Sequence, residues 1–130
     1  MTGVFQALVI PVEGPVYEIR VGDTAGDLVT LQQAVGGFIE AVPVPRFIRD
    51  ADQATAYINE EGKFTCLNDD GSVQINRRAT DFMVPGVGLG WGDFIAGPAV
   101  FCGFDPRTGE HAVLPKAVVD RVRLIESEAG

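Results

Sequence analysis

Few side chains in this sequence are of types that do chemistry. The only imidazole is His111, beside Glu110 at the end of a stretch that reads as an exposed turn. The two thiols, Cys66 and Cys102, sit in separate apolar runs, and neither has an adjacent histidine or a basic environment to favour a thiolate. Ser72 and Ser127 lack the glycines of a nucleophile elbow. Glu60-Glu61 and Asp69-Asp70 are paired carboxylates, but both fall in turns, where solvated acids are ordinary. Nucleophilic and acid–base catalysis need a reactive group with a partner that tunes it. These spacings supply none, and they give no zinc-ligand pattern either. The sequence therefore predicts no catalytic residue, no metal and no cofactor.

One constellation has the means to grip. Asn76, Arg77 and Arg78 open a short helical pattern, NRRATDFM. A helix start with adjacent guanidinium groups is a ready anion site. Consecutive side chains diverge by about 100° around a helix, so either both arginines are surface salt-bridge residues, or one pairs with an acid such as Glu40 or Glu61 and leaves the other for a ligand. Glu40 itself is a carboxylate within an apolar strand pattern. It either reaches water at a sheet edge or pairs with an arginine or ligand. Val84 to Gly92 alternates glycine with Val87, Leu89 and Trp91. Its spacing is not that of a dinucleotide fingerprint. It reads as an extended loop that tucks Leu89 and Trp91 onto the core, or alternatively as a lid near a partner.

The elements that position these residues centre on Thr24 to Val44. Thr24 and Asp27 resemble a capping box ahead of Leu28, Leu31, Ala34 and Val35, which share one helical face. Gly36 and Gly37 stop that helix. Phe38 to Val44 then alternates with period two, apolar on both sides, as a strand covered on both faces. Upstream, Val4–Val12 and Val16–Val21 predict an antiparallel hairpin. Hairpin, helix and strand is the opening order of ubiquitin-like β-grasp folds, a likeness of architecture alone. Downstream, the pattern predicts strands at Ala56–Ile58, Lys63–Leu67 and Ala99–Gly103, with Ser72–Ile75 pairing back across the Asn68–Gly71 turn. His111 to Pro115 either pairs back as a brief strand or leads straight into a last helix. That helix starts at Pro115 and turns Val118, Val122 and Ile125 inward.

The chain is thus read as a single α+β domain over residues 1–130. A mixed, mainly antiparallel sheet is packed by a helix at about 24–35 and a C-terminal helix at about 115–126. With 130 residues it is long enough to bury a core without staples. The net charge of −8, from 18 acids against 10 bases, argues against direct binding to nucleic acid or an anionic membrane. No apolar run approaches the ~20 residues that span a bilayer, and the first residues show no basic leader. A cytoplasmic protein with two free, buried thiols is expected.

The ordered segments LQQAVGGFIEAV, YINEEGKF, NRRAT and IAGPAVFCG resemble an uncharacterised domain-of-unknown-function family of small proteins from actinobacteria, other bacteria and their phages and mobile elements. The likeness covers roughly residues 5–104, leaving the glycine-rich segment and residues 105–130 as particular to this chain. It implies an origin rather than an activity: a phage or mobile-element accessory protein acting on its host. The expected function is a noncatalytic binding module that contacts a host protein or a small anionic ligand. The alternative is an enzyme on a nucleotide or phosphorylated substrate, with Arg77 or Arg78 as clamp and an acid as base. Oligomeric state is not legible.

Overall fold

The computed structural model describes residues 4–22, 27–83 and 93–129. Strands β1 (Val4–Ile10) and β2 (Tyr17–Gly22) form the expected antiparallel hairpin, in register from Val4 opposite Gly22 to Val9 opposite Tyr17. Helix α1 (Leu28–Val35) follows, then β3 (Ile39–Pro43), β4 (Ala54–Asn59), α2 (Gly62–Thr65), α3 (Arg77–Met83), β5 (Ala99–Asp105), β6 (Glu110–Ala112) and α4 (Lys116–Ala129). The sheet has six strands in the order β2-β1-β5-β4-β3, with β6 pairing β5 off that path. Every pairing is antiparallel. The fold is α+β, as read.

Strand alternation divides the core into two layers. Leu8, Ile10, Val42, Ala56, Ala99 and Phe101 point to one face, where Phe82 and Met83 of α3 and Val118, Val122 and Ile125 of α4 cover them. The Phe82 and Phe101 rings meet at 4.4 Å. Ala7, Val9, Val21, Tyr57, Val100 and Cys102 point to the other face, beneath Leu31 and Val35 of α1. β5 lies at the centre because it alone is apolar on both faces for five consecutive residues, as its unbroken burial from Ala99 to Gly103 shows. Arg121 on α4 donates to Phe82 O and Asp81 O, both at 3.0 Å, so a cation serves the carbonyl end of α3.

Several expectations need correction. Helix α1 begins one residue after Asp27, which has non-helical backbone angles and makes no side-chain cap bond. Its carboxylate instead accepts the Gly22 N–H at 2.5 Å. Thr24 lies outside the described residues. The helix does end as read: Gly36 adopts φ 81°, and its N–H bonds Gln32 O at 2.8 Å. β3 is not covered on both faces. It ends the sheet, and only Val42 of its residues is buried. Lys63–Leu67 is not a strand. Gly62–Thr65 forms a helical turn closed by Thr65 N–H and Oγ1 onto Glu61 O. Five residues of alternation cannot separate a strand from a turn when no neighbouring strand is in reach. Across the Asn68–Gly71 turn the chain does come back on itself, through a single bridge between Leu67 and Val73. Cys66 ends α2 half-buried rather than sitting in a strand, whereas Cys102 is buried on β5; both are free thiols.

His111 is the largest departure. It is 3% exposed, on β6 rather than in an exposed turn. The Asp105–Gly109 turn brings Glu110–Ala112 back along β5, opposite Gly103–Asp105. Gly103 is paired with Ala54 on one side and Ala112 on the other.

Candidate functional site

Two groups of polar residues compete for the role of site. The first is buried. His111 Nδ1 lies 2.8 Å from Gly22 O, and its Nε2 lies 2.9 Å from Tyr57 Oη. A carbonyl only accepts, so Nδ1 carries a proton and donates to Gly22 O, while Nε2 and the Tyr57 hydroxyl share the second bond. The imidazole thereby joins β2, β4 and β6. Gly22 is held twice, since its N–H also serves Asp27. Cys102 lies on the same face of the sheet. This cluster brings together an imidazole, a phenol, a thiol and a carboxylate. Burial pushes the Cys102 thiol up to about 12 and the Tyr57 phenol up to about 12. Tyr57 is 6% exposed and Cys102 0%. Its contribution is to close the sheet.

Two outcomes follow from this cluster. Iodoacetamide at pH 8 is expected to label Cys66 in the native protein and leave Cys102 unmodified until denaturant is added; mass spectrometry of tryptic peptides reads this directly. The Gly22 N–H bond is the main cause that holds the Asp27 carboxyl below its usual 3.8. A carboxylate whose folded pKa is depressed contributes its stability above the unfolded value, and loses it as pH falls through the folded value. Urea denaturation should therefore show stability falling below about pH 4. Asp27→Asn should be less stable than the parent at pH 7, with the gap narrowing as the pH is lowered through the acid range.

The second group is open. A cleft of about 160 Å³ lies at the β3 end of the sheet, lined by Glu40, Ile58, Glu60, Lys63, Phe64 and Phe94 among others. Glu40 comes from β3 and Ile58 from β4, opposite each other in register. Buried Asn59 fixes the turn that follows. Its Nδ2 donates to Val35 O at 3.2 Å, and its Oδ1 accepts the Glu61 N–H at 2.8 Å, tying the end of α1 to the start of α2. Helix α2 carries Lys63 and Phe64 to the rim, where Phe64 is 81% exposed. Lys63 Nζ pairs with Asp93 and lies 4.7 Å from the Phe94 ring centroid. That bond and the Phe94 N–H, at 2.8 Å, hold the Asp93 carboxyl below its usual range. Among the described residues the cleft therefore presents carboxylates and aromatic side chains, and its Lys63 is engaged by Asp93. A wider, shallower hollow of about 470 Å³ lies by Asp105 and Arg107, which pair with each other inside their own turn.

The residues singled out in the sequence are distributed as follows. Glu40 lines the cleft, on an exposed sheet edge. Glu61 stands just before α2, exposed. Asn76 is fully buried and serves the fold. Its Nδ2 donates to Ile10 O at 2.8 Å and Gly97 O at 3.0 Å, while its Oδ1 accepts the Ala79 N–H at 2.9 Å. Arg78 donates to Pro11 O at 2.8 Å, and Arg77 is exposed. Among the described residues neither arginine forms an ion pair with Glu40 or Glu61. Trp91 lies outside the described residues. Sequence reasoning missed Phe64, Lys63, Glu60 and Asp93 as a group. The one signal was a lysine and an aromatic directly after paired acids, in EEGKF.

A family model for a domain of unknown function, DUF3846, matches residues 5–126. The chain belongs to that family. The match ends at Glu126, within α4, so it takes in α3, most of α4 and every strand but the first residue of β1, and it extends well past residue 104, where the sequence likeness was expected to stop. No curated protein and no solved structure matches the chain. The DUF3846 description carries no activity. Among the described residues no group of His, Cys, Asp and Glu is placed to hold a metal ion, and no helix is long and apolar enough to cross a membrane.

Proposed function

We propose that this DUF3846 domain is a noncatalytic binding module whose contact surface is the cleft at the β3 edge. The observation that supports the reading is the division of its polar residues: His111, Tyr57 and Cys102 are buried, while the exposed cleft offers charge and aromatic surface. A protein partner fits this cleft better than a small anion, because Glu40 and Glu60 repel one and Lys63 is already engaged by Asp93. Its volume is also below the roughly 300–1,000 Å³ of most small-molecule sites. On this reading the chain acts in the cytoplasm of a bacterial host, as an accessory of a phage or mobile element, by holding a host protein.

Thermal melting against a panel of nucleotides and peptides, with every ligand recovered and weighed by mass spectrometry, tests it. Stabilisation by a ligand recovered unchanged is the expected result. Conversion of a nucleotide, lost in Arg78→Ala, would replace this reading with an enzymatic one.

A further inference from the structure

Among the described residues strand β3 ends the sheet, with β4 on its inner flank. Facing residues in an antiparallel pair alternate between exchanging both backbone bonds and exchanging neither. Glu60 N–H donates to Phe38 O at 2.8 Å, and the register runs from Ile39 opposite Asn59 to Pro43 opposite Thr55. Phe38, Glu40 and Val42 therefore turn their peptide groups towards β4. Ile39, Ala41 and Pro43 turn theirs outward, and Pro43 has no N–H to lose there. The outer flank thus offers the N–H and C=O of Ile39 and Ala41 and the C=O of Pro43 to one more strand.

The cleft lies beside this flank, on the face where Glu40 and Val42 project. A strand laid along β3 would set alternate side chains over it. Glu40 and Glu60 form no ion pair among the described residues, whereas Lys63 is committed to Asp93. Phe64 is 81% exposed and Phe38 69% exposed at the same end of the sheet.

We propose that β3 captures an extended basic peptide as an added strand, with a Lys or Arg side chain lodged between Glu40 and Glu60 against the Phe64 ring. This rests on the binding-module reading and names its partner. A second copy of the chain is the poorer occupant, since it would bring a net charge of −8 against another −8. The opposite edge, β2, is less suited to cations: its Glu18 lies 3.9 Å from Arg123, and Arg20 stands on the same face.

Amide-resolved NMR titration tests the assignment with three synthetic peptides. They are an alternating Lys–Val peptide, its Glu–Val counterpart, and the Lys–Val peptide with alternate amides N-methylated. The Lys–Val peptide is expected to shift Ile39, Ala41 and Phe64, and to bind more weakly as salt is raised. The other two should bind about tenfold more weakly or not at all. Glu40→Lys, at an exposed position, should weaken the Lys–Val peptide about tenfold with an unchanged circular dichroism spectrum. Ala41→Pro, which removes one outward N–H, should weaken it independently of charge. Equal binding of the Glu–Val peptide, shifts confined to β2, or self-association through β3 in sedimentation would each overturn the proposal. So would absence of Lys–Val binding at millimolar concentration. That last result leaves the binding-module reading standing, because only ligand conversion in the melting panel removes it.

Discussion

Replacing Gly103 by alanine is expected to cost about 3 kcal/mol of stability, where glycine-to-alanine in a strand ordinarily helps by roughly 0.5–1 kcal/mol. A Cβ at Gly103 would lie 2.2 Å from Ala112 O and 2.3 Å from Val113 O. Both are backbone atoms, so no side chain can swing aside to relieve the clash. β6 must lift from β5, and it carries His111 away from Tyr57 Oη and Gly22 O. The damage then spreads beyond the mutated strand, because two buried polar groups lose their partners at once. Urea denaturation followed by circular dichroism measures the loss. Gly22→Ala is the control: its added Cβ would meet nothing closer than Asp27 at 3.5 Å, an ordinary contact. A Gly103→Ala protein as stable as the parent would mean that β6 does not lie where it is placed here.

Asn76→Ala is expected to cost about 3 kcal/mol, the second large effect. It strips the cap from α3 and orphans Ile10 O, Gly97 O and the Ala79 N–H inside the core. Asn76→Asp separates the two roles. It keeps the acceptor for Ala79, but sets a carboxylate oxygen against two carbonyl oxygens in a fully buried site. It should be at least as damaging as alanine. The midpoint of urea unfolding should fall in both variants with the denaturant slope unchanged. An aspartate variant close to the parent would show that the amide's donor bonds are dispensable, and would return Asn76 to the role of a simple cap.

These two residues also mark how far the sequence could be read. Asn76 was legible as a helix start, because a cap is a local property of residue type and following pattern. Its burial was not, since Ile10 lies 66 residues away and Gly97 lies 21 away. Local signals also placed the β1–β2 hairpin, the stop at Gly36 and the inward face Val118, Val122 and Ile125. What failed depended on which strands became neighbours. His111 looked exposed because Glu110–Ala112 is too short to show a period, and its burial is decided by pairing with β5. β3 looked doubly covered because its residues are apolar, yet it fell at the end of the strand order. The Arg77–Arg78 pair looked like a clamp by composition, but Arg78 is spent on Pro11 O. The cleft was hidden for the same reason: Glu40, Glu60 and Asp93 come from separate stretches of chain, joined only when β3, β4 and α2 meet.

Residue-by-residue amide hydrogen exchange of the protein alone shows whether β3 is the open edge proposed to receive another strand. Slow exchange is expected at Glu40 and Val42, whose N–H groups face β4, and fast exchange at Ile39 and Ala41, whose N–H groups face out. Comparable protection at all four amides would show that the edge is already covered, and would contradict the proposal.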